Sequence, residues 1–172
     1  MKSATRSAGS PFMTTDEVPL AFPLGGLAKR GFDISAAALA LIVFSPIFLM
    51  IMALVKFSDG GSVFYGHRRV GHNGRYFHCL KFRTMVVNGE EVLRKHLKAN
   101  PQAAEEWRAT RKLRSDPRVT AVGAVLRKLS LDELPQLINI LRGDMSVVGP
   151  RPVVDEELGI YDSHAVYYLR TR

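Results

Sequence analysis

Asp132 and Glu133 stand side by side in Leu129-Ser130-Leu131-Asp132-Glu133-Leu134-Pro135-Gln136, within a strongly basic chain. Pro135 has no backbone N–H and is tolerated only in a first helical turn, so a helix covering Leu137 to Leu141 should begin near Asp132 or Glu133. The unpaired N–H groups and dipole at such a start favour Asp132 as a carboxylate and can also hold phosphate. The acid pair therefore marks a reaction centre. The plainer alternative is a helix cap, because Ser130 and Glu133 also satisfy S-x-x-E.

Cations occur where they could serve that centre. Lys81 and Arg83 lie two apart in the predicted strand Arg75 to Thr84, so both project to one face and could converge on an anion; a solvated strand face is the alternative. Arg127 comes shortly before the acid pair, at the end of an apolar and basic helix predicted over Ala121 to Leu129. In Gly149-Pro150-Arg151-Pro152 the prolines fix φ on either side of Arg151, and Gly149 permits close backbone approach. An arginine held this way suits a planar phosphate-binding fork, and an ordinary Pro-rich turn is the other reading. His67, His72, His78, His96 and His164 lack zinc-type spacing and receive no metal role. Cys79 is the lone cysteine, which excludes an intramolecular disulfide and fits a reducing compartment.

The elements that must position these groups start with a membrane candidate. The run Ile34 to Val55 carries no charge, and as one straight helix it would be about 33 Å long, enough to cross a bilayer core. Ser45-Pro46 falls at its midpoint, where proline removes a helix hydrogen bond and forces a bend. Two architectures stay open, a kinked spanning helix and a helix-break-helix hairpin that enters and leaves on one side. In the hairpin the Ser45 hydroxyl would satisfy part of the exposed backbone. Lys29 and Arg30 precede the run, and Lys56, Arg68, Arg69 and Arg75 follow it, so the positive-inside rule places both ends in the cytoplasm.

Beyond it, Ser62 to Tyr65 and Arg75 to Thr84 read as short strands joined by a turn at His72-Asn73-Gly74. Glu90 to Arg114 reads as helix interrupted near Asn100-Pro101, with Leu93, Leu97, Ala104 and Trp107 on an apolar side. Met145 to Val148 reads as a brief strand or extended segment that delivers Gly149. The fold class is therefore α+β and mostly helical. A tail at residues 1–28, a membrane segment at 29–57 and a catalytic unit at 58–172 make up the predicted organisation. Lys and Arg exceed Asp and Glu by 24 to 16 in 172 residues, a formal charge of +8. That balance calls for a polyanionic partner: nucleic acid, anionic lipid or nucleotide phosphate.

Taken together, the apolar run with Ser45-Pro46, Lys81-Phe82-Arg83-Thr84-Met85, Leu126-Arg127-Lys128, the Ser130 to Gln136 stretch and Asp144 to Pro152 resemble the bacterial sugar transferase family, the monotopic polyprenyl-phosphate phosphoglycosyl transferases. The resemblance runs from about Lys29 to the C-terminus. It implies transfer of a sugar 1-phosphate from a UDP-sugar to polyprenyl phosphate, with UMP released and magnesium (Mg2+) as cofactor. It implies Asp132 as nucleophile, Glu133 assisting magnesium and substrate, Arg127 and Arg151 on phosphates, Pro150 and Pro152 near the nucleotide, and Lys81 and Arg83 supporting the anionic site. It also implies a re-entrant break at Ser45-Pro46 and a location on the cytoplasmic face of the bacterial inner membrane, with lipid rather than nucleic acid as partner. Dimerisation is unread. Family members usually continue beyond the position equivalent to Arg172, so a truncated catalytic unit is expected. The rival class is a membrane-anchored basic adaptor that binds polyanions without catalysis, with steep salt dependence and no need for an acid pair.

Overall fold

The computed structural model describes residues 25–158 and 168–169. Most of the predicted tail at 1–28 lies outside the described residues. Helix α1 spans Gly26–Val43 and α2 spans Ser45–Asp59, separated by Phe44. Pro46 falls in the first turn of α2, where its missing N–H costs nothing, and the two axes bend by 66°. The Ser45 hydroxyl donates to Ile42 O at 2.8 Å, the backbone relief expected of it. Among the described residues no single helix is long and apolar enough to cross a membrane, although the bent pair passes by length and composition.

The sheet is a two-stranded antiparallel ribbon, β1 (Phe64–Val70) and β2 (Tyr76–Phe82), with Phe64 opposite Phe82 and Val70 opposite Tyr76. Strand β1 starts later and runs further than Ser62 to Tyr65. The register explains this, since Gly66 to Arg69 continue the ladder against Leu80 to Phe77 despite their polar composition. The turn contains His72–Gly74 in a 3-10 conformation with left-handed Asn73 (φ 54°) and Gly74 (φ 71°), the residue types such a reversal favours.

Helices α3 (Gly89–Ala99) and α4 (Pro101–Thr110) divide at Asn100, whose side chain caps α4 by accepting from Ala103 N at 3.2 Å. Helix α4 stops at Thr110 rather than Arg114, because Arg111 turns left-handed at φ 54°. Next come α5 (Ala121–Lys128), a single 3-10 turn at Leu131–Glu133, α6 (Gln136–Arg142) and a short α7 (Asp155–Leu158). Met145 to Val148 forms no strand. The strand-like pairing falls instead on Val153, which bridges to Val70.

The main core joins the bent α1–α2 pair to the rest. Ile51 and Val55 of α2 are buried against Phe82 of β2 and Leu126 of α5, with Phe48, Phe64 and Leu134 packed around them. The Phe64 and Phe82 rings stack at a centroid distance of 5.6 Å, and Phe48 lies tilted against both at 6.1 and 4.9 Å. The opposite side of the bent pair is bare: Leu39, Ile42, Leu49 and Phe57 are 63%, 71%, 63% and 87% exposed.

Polar contacts fix the hairpin's base. Arg30 caps the C-terminus of α6, donating to Ile140 O at 2.6 Å and Leu141 O at 2.7 Å. Buried Asp33 accepts from Ser146 Oγ at 2.8 Å and Val147 N at 3.0 Å, and pairs with Lys29 at 3.6 Å. Lys56 Nζ donates to Gly60 O at 2.8 Å and closes the end of α2. Three of the flanking cations are thus partnered inside the protein.

Candidate active site

The acids sit on the 3-10 turn between α5 and α6, one turn earlier than a helix start. Helix α6 begins at Gln136 with Pro135 as its N-cap residue, so neither acid stands in the first turn of α6 and the dipole argument for Asp132 does not hold. The capping box is also absent. Ser130 is left-handed at φ 56° and its side chain caps nothing, while Glu133 turns away to Lys81.

Lys81 organises the pair. Its ammonium lies 2.6 Å from Glu133 Oε1 and 3.9 Å from Asp132 Oδ2. The two carboxylates differ in environment, since the Asp132 side chain is 13% exposed and that of Glu133 is 51% exposed. Burial pushes the Asp132 carboxyl above its ordinary value, Glu133 adds to that rise, and Lys81, a backbone hydrogen bond and Arg127 oppose it. Asp132 is a half-desolvated acid held beside cations.

Arg127 reaches the same place through a close backbone approach. Thr120 caps α5 by accepting from Gly123 N at 2.9 Å, and Thr120 N donates to Thr84 O at 3.0 Å. Gly123 is buried against Thr84, whose backbone atoms occupy the space any Cβ would need. Helix α5 therefore lies on the end of β2, and Arg127 Nε donates to Thr84 Oγ1 at 2.8 Å. Among the described residues its other nitrogens make no hydrogen bond.

These groups line one open cleft of about 900 Å3, shared by Lys81, Arg83, Arg127, Asp132 and Glu133. The structure brings those five predicted residues together. Arg83 does so with a difference: its guanidinium is ion-paired with Asp59 at the end of α2 rather than converging on the acids. Arg118 also reaches the wall, clasped by Asp116 at 2.7 Å and 2.9 Å, which holds the Asp116 carboxyl below its usual range. Pro150, Arg151 and Pro152 are not part of this lining. Pro150 and Pro152 flank a small hollow with Val70, Phe77 and Tyr168, and Arg151 is exposed to solvent.

The donor set bears on magnesium. Among the described residues no three His, Cys, Asp or Glu side chains cluster as a metal cage. Magnesium needs none, because it keeps several waters and takes one or two carboxylates plus substrate phosphates. Asp132 and Glu133 fit that demand.

Residues 24–172 match the family described as bacterial sugar transferase. The chain belongs to that family. The exopolysaccharide production protein ExoY of Rhizobium meliloti (strain 1021) is 71% identical to this transferase over 172 residues, which is 100% of this chain and 76% of the relative. The undecaprenyl-phosphate galactose phosphotransferase of Salmonella typhimurium is 51% identical over 144 residues, 84% of this chain and 30% of the relative. The undecaprenyl-phosphate glucose phosphotransferase of Komagataeibacter xylinus is 41% identical over 126 residues, 73% of this chain and 21% of the relative.

Three residues that build the transferase's site were given no role by the motif reading, although Thr84 stands within the Lys81 to Met85 motif. Thr84 anchors Arg127, and Asp59 holds Arg83. Asn139, 1% exposed, docks α6 on β2: its Oδ1 accepts from Leu80 N at 2.9 Å and its Nδ2 donates to His78 O at 2.9 Å. An asparagine one turn into an otherwise apolar helix face, among Leu137, Ile138 and Ile140, is the signal that could have found it.

Proposed function

We propose that this chain is a polyprenyl-phosphate phosphoglycosyl transferase that moves a sugar 1-phosphate from a UDP-sugar to polyprenyl phosphate, releasing UMP and starting exopolysaccharide assembly. The observation that carries the reading is a half-buried Asp132 carboxylate beside Lys81 and Arg127 in a cleft large enough for a nucleotide sugar. Relatives named for undecaprenyl-phosphate sugar transfer support the substrates.

In the first half-reaction an Asp132 carboxylate oxygen attacks the sugar-bearing phosphorus. The pyrophosphate P–O bond breaks, and UMP leaves with the bridging oxygen. In the second, a phosphate oxygen of polyprenyl phosphate attacks the same phosphorus, the Asp132 O–P bond breaks and the carboxylate returns. A carboxylate that has already lost part of its water shell has less hydration to shed before attack, and the Lys81 ammonium favours its charged form against the effect of burial. Lys81 and Arg127 also offset the repulsion between anionic nucleophile and diphosphate. Glu133 holds Lys81 in place by its shorter contact. Asp132 and Glu133 would hold magnesium, which when bound supplies further neutralisation of phosphate charge. Arg151 and its flanking prolines act on the nucleotide end, away from the acids.

The α1–α2 pair is a re-entrant hairpin in the cytoplasmic leaflet of the inner membrane. The 66° bend and the exposed Leu39, Ile42, Phe44 and Leu49 near its tip support this. Such a hairpin sets the cleft at the depth of the lipid phosphate.

The test is UMP release from a panel of UDP-sugars with polyprenyl phosphate, run on wild type and Asp132→Asn, with trapping of labelled phospho-sugar on the protein. Labelling that depends on Asp132 is the expected result. Wild-type rates in Asp132→Asn would refute the mechanism, and silence with every donor would refute the function.

A further inference from the structure

Asp59 lies at the last position of α2, the helix whose other residues supply a core face and an exposed apolar side. Its carboxylate gathers three donors. Oδ1 is ion-paired with the Arg83 guanidinium and accepts from Gly61 N at 3.3 Å, and Oδ2 accepts from Val87 N at 3.2 Å. Arg83, Gly61 and Val87 all line the cleft that holds Asp132. The platform under Asp59 is firm, because Ile51 and Val55 are buried and Lys56 closes the helix end onto Gly60.

The pair itself is sheltered, with the Asp59 and Arg83 side chains 21% and 12% exposed. An arginine fork has five N–H donors, so one carboxylate leaves several for another anion. Among the described residues the Arg83 Nε and Nη1 groups make no hydrogen bond. Gly61 adds a second constraint on the same group. A Cβ there would run into Arg83 Nη1 and Val87 Cγ2, so the guanidinium lies across the glycine and only glycine leaves it that place.

We infer that Asp59 is a positioning residue that aims Arg83 across the mouth of the cleft, so that Arg83 binds a phosphate oxygen of the nucleotide-sugar donor. This rests on the transferase reading above and adds a group outside the acid pair and its cations. A preset fork binds with little rotamer freedom left to lose, and its charge-assisted bonds favour the diphosphate donor. It also ties the orientation of a donor-binding cation to the end of the apolar hairpin.

The experiment is steady-state kinetics of the full chain in lipid, using the UDP-sugar that wild type turns over best. Donor and polyprenyl phosphate are varied separately for wild type, Asp59→Asn, Asp59→Glu and Gly61→Ala. Asp59→Asn should raise the donor KM about tenfold with kcat within about twofold, and leave the polyprenyl phosphate KM unchanged. Gly61→Ala displaces the same guanidinium without touching the carboxylate and should move the same constant. Asp59→Glu should restore part of the donor affinity. A donor KM unchanged in Asp59→Asn and in Gly61→Ala overturns the inference, as does a loss of kcat that tracks melting temperature with no change in KM. A wild type that turns over no donor overturns the transferase reading and this inference with it, whereas an active wild type with unmoved KM values overturns this inference alone.

Discussion

Asp33 and Asp132 are both carboxylates beside a lysine, yet they are built for opposite ends. Asp33 is 2% exposed and closed on all sides by Lys29, the Ser146 hydroxyl and Val147 N, and its place is the joint between the hairpin base and the segment after α6. Asp132 has a distant lysine at 3.9 Å and a backbone hydrogen bond and opens onto a cleft, so acceptor capacity is left over for something outside the protein. The contrast teaches that a cation–carboxylate pair becomes chemistry when its hydrogen bonds are incomplete, and architecture when they are complete.

That contrast can be broken at several points. Asp132→Asn should lower UMP release by about a thousandfold or more while leaving the melting curve close to wild type, as measured by nucleotide release and calorimetry. Asp33→Ala should do the reverse, with a loss of about 2 kcal/mol in denaturant unfolding and a rate per folded molecule little changed, because a partly buried lysine, the Ser146 hydroxyl and the Val147 N–H lose their acceptor. Asn139→Ala should cost about 2 kcal/mol by leaving Leu80 N and His78 O without their side-chain partner, with hydrogen exchange rising at Leu80. Glu133→Gln should lower turnover about tenfold, less than the change at Asp132, since Glu133 holds Lys81 by a charge-assisted bond and is itself half exposed.

The smallest effect is a pH dependence. The hydrogen bond from Arg118 holds the Asp116 carboxyl below its unfolded value, so the pair's stabilisation is present above that unfolded value and is lost as pH falls through the folded one. The stability difference between wild type and Asp116→Asn should therefore be greatest at neutral pH and shrink in acid, which a series of urea melts would read.

Prolines made much of the architecture legible. Pro46 and Pro101 each sit in a first helical turn and mark the breaks at Phe44 and Asn100 before any coordinates are seen. The acid pair, Lys81 and Arg127 were legible as residue types in order, and they do share one cleft. The local geometry was not. Pro135 suggested a helix starting at the acids, but the 3-10 turn closes by Leu134 N on Leu131 O, and α6 starts only after it. Strand β1 was hidden because its middle, Gly66 to Arg69, has neither apolar alternation nor β-branched residues and exists through its ladder with β2. Lys29 and Arg30 read as cytoplasmic flanks of the apolar run, and nothing local encodes that they also reach partners more than a hundred residues away at Ser146, Ile140 and Leu141. Arg151 is legible as a residue type, but its place outside the lining of the acids' cleft, two residues before the Val153 bridge to Val70, is not.

The Asn139 amide has a consequence for how copies of this chain meet. A two-stranded ribbon would normally offer unpaired N–H and C=O groups along both margins, an invitation to cross-chain pairing. Here the carboxamide occupies His78 O and Leu80 N on the outer margin of β2, and Val153 O takes Val70 N on that of β1, while the charged Arg68 guards what stays open between. A single side chain thus does the work of a missing third strand, and so small a sheet keeps its margin occupied beside a helix pair whose outer side is apolar and exposed.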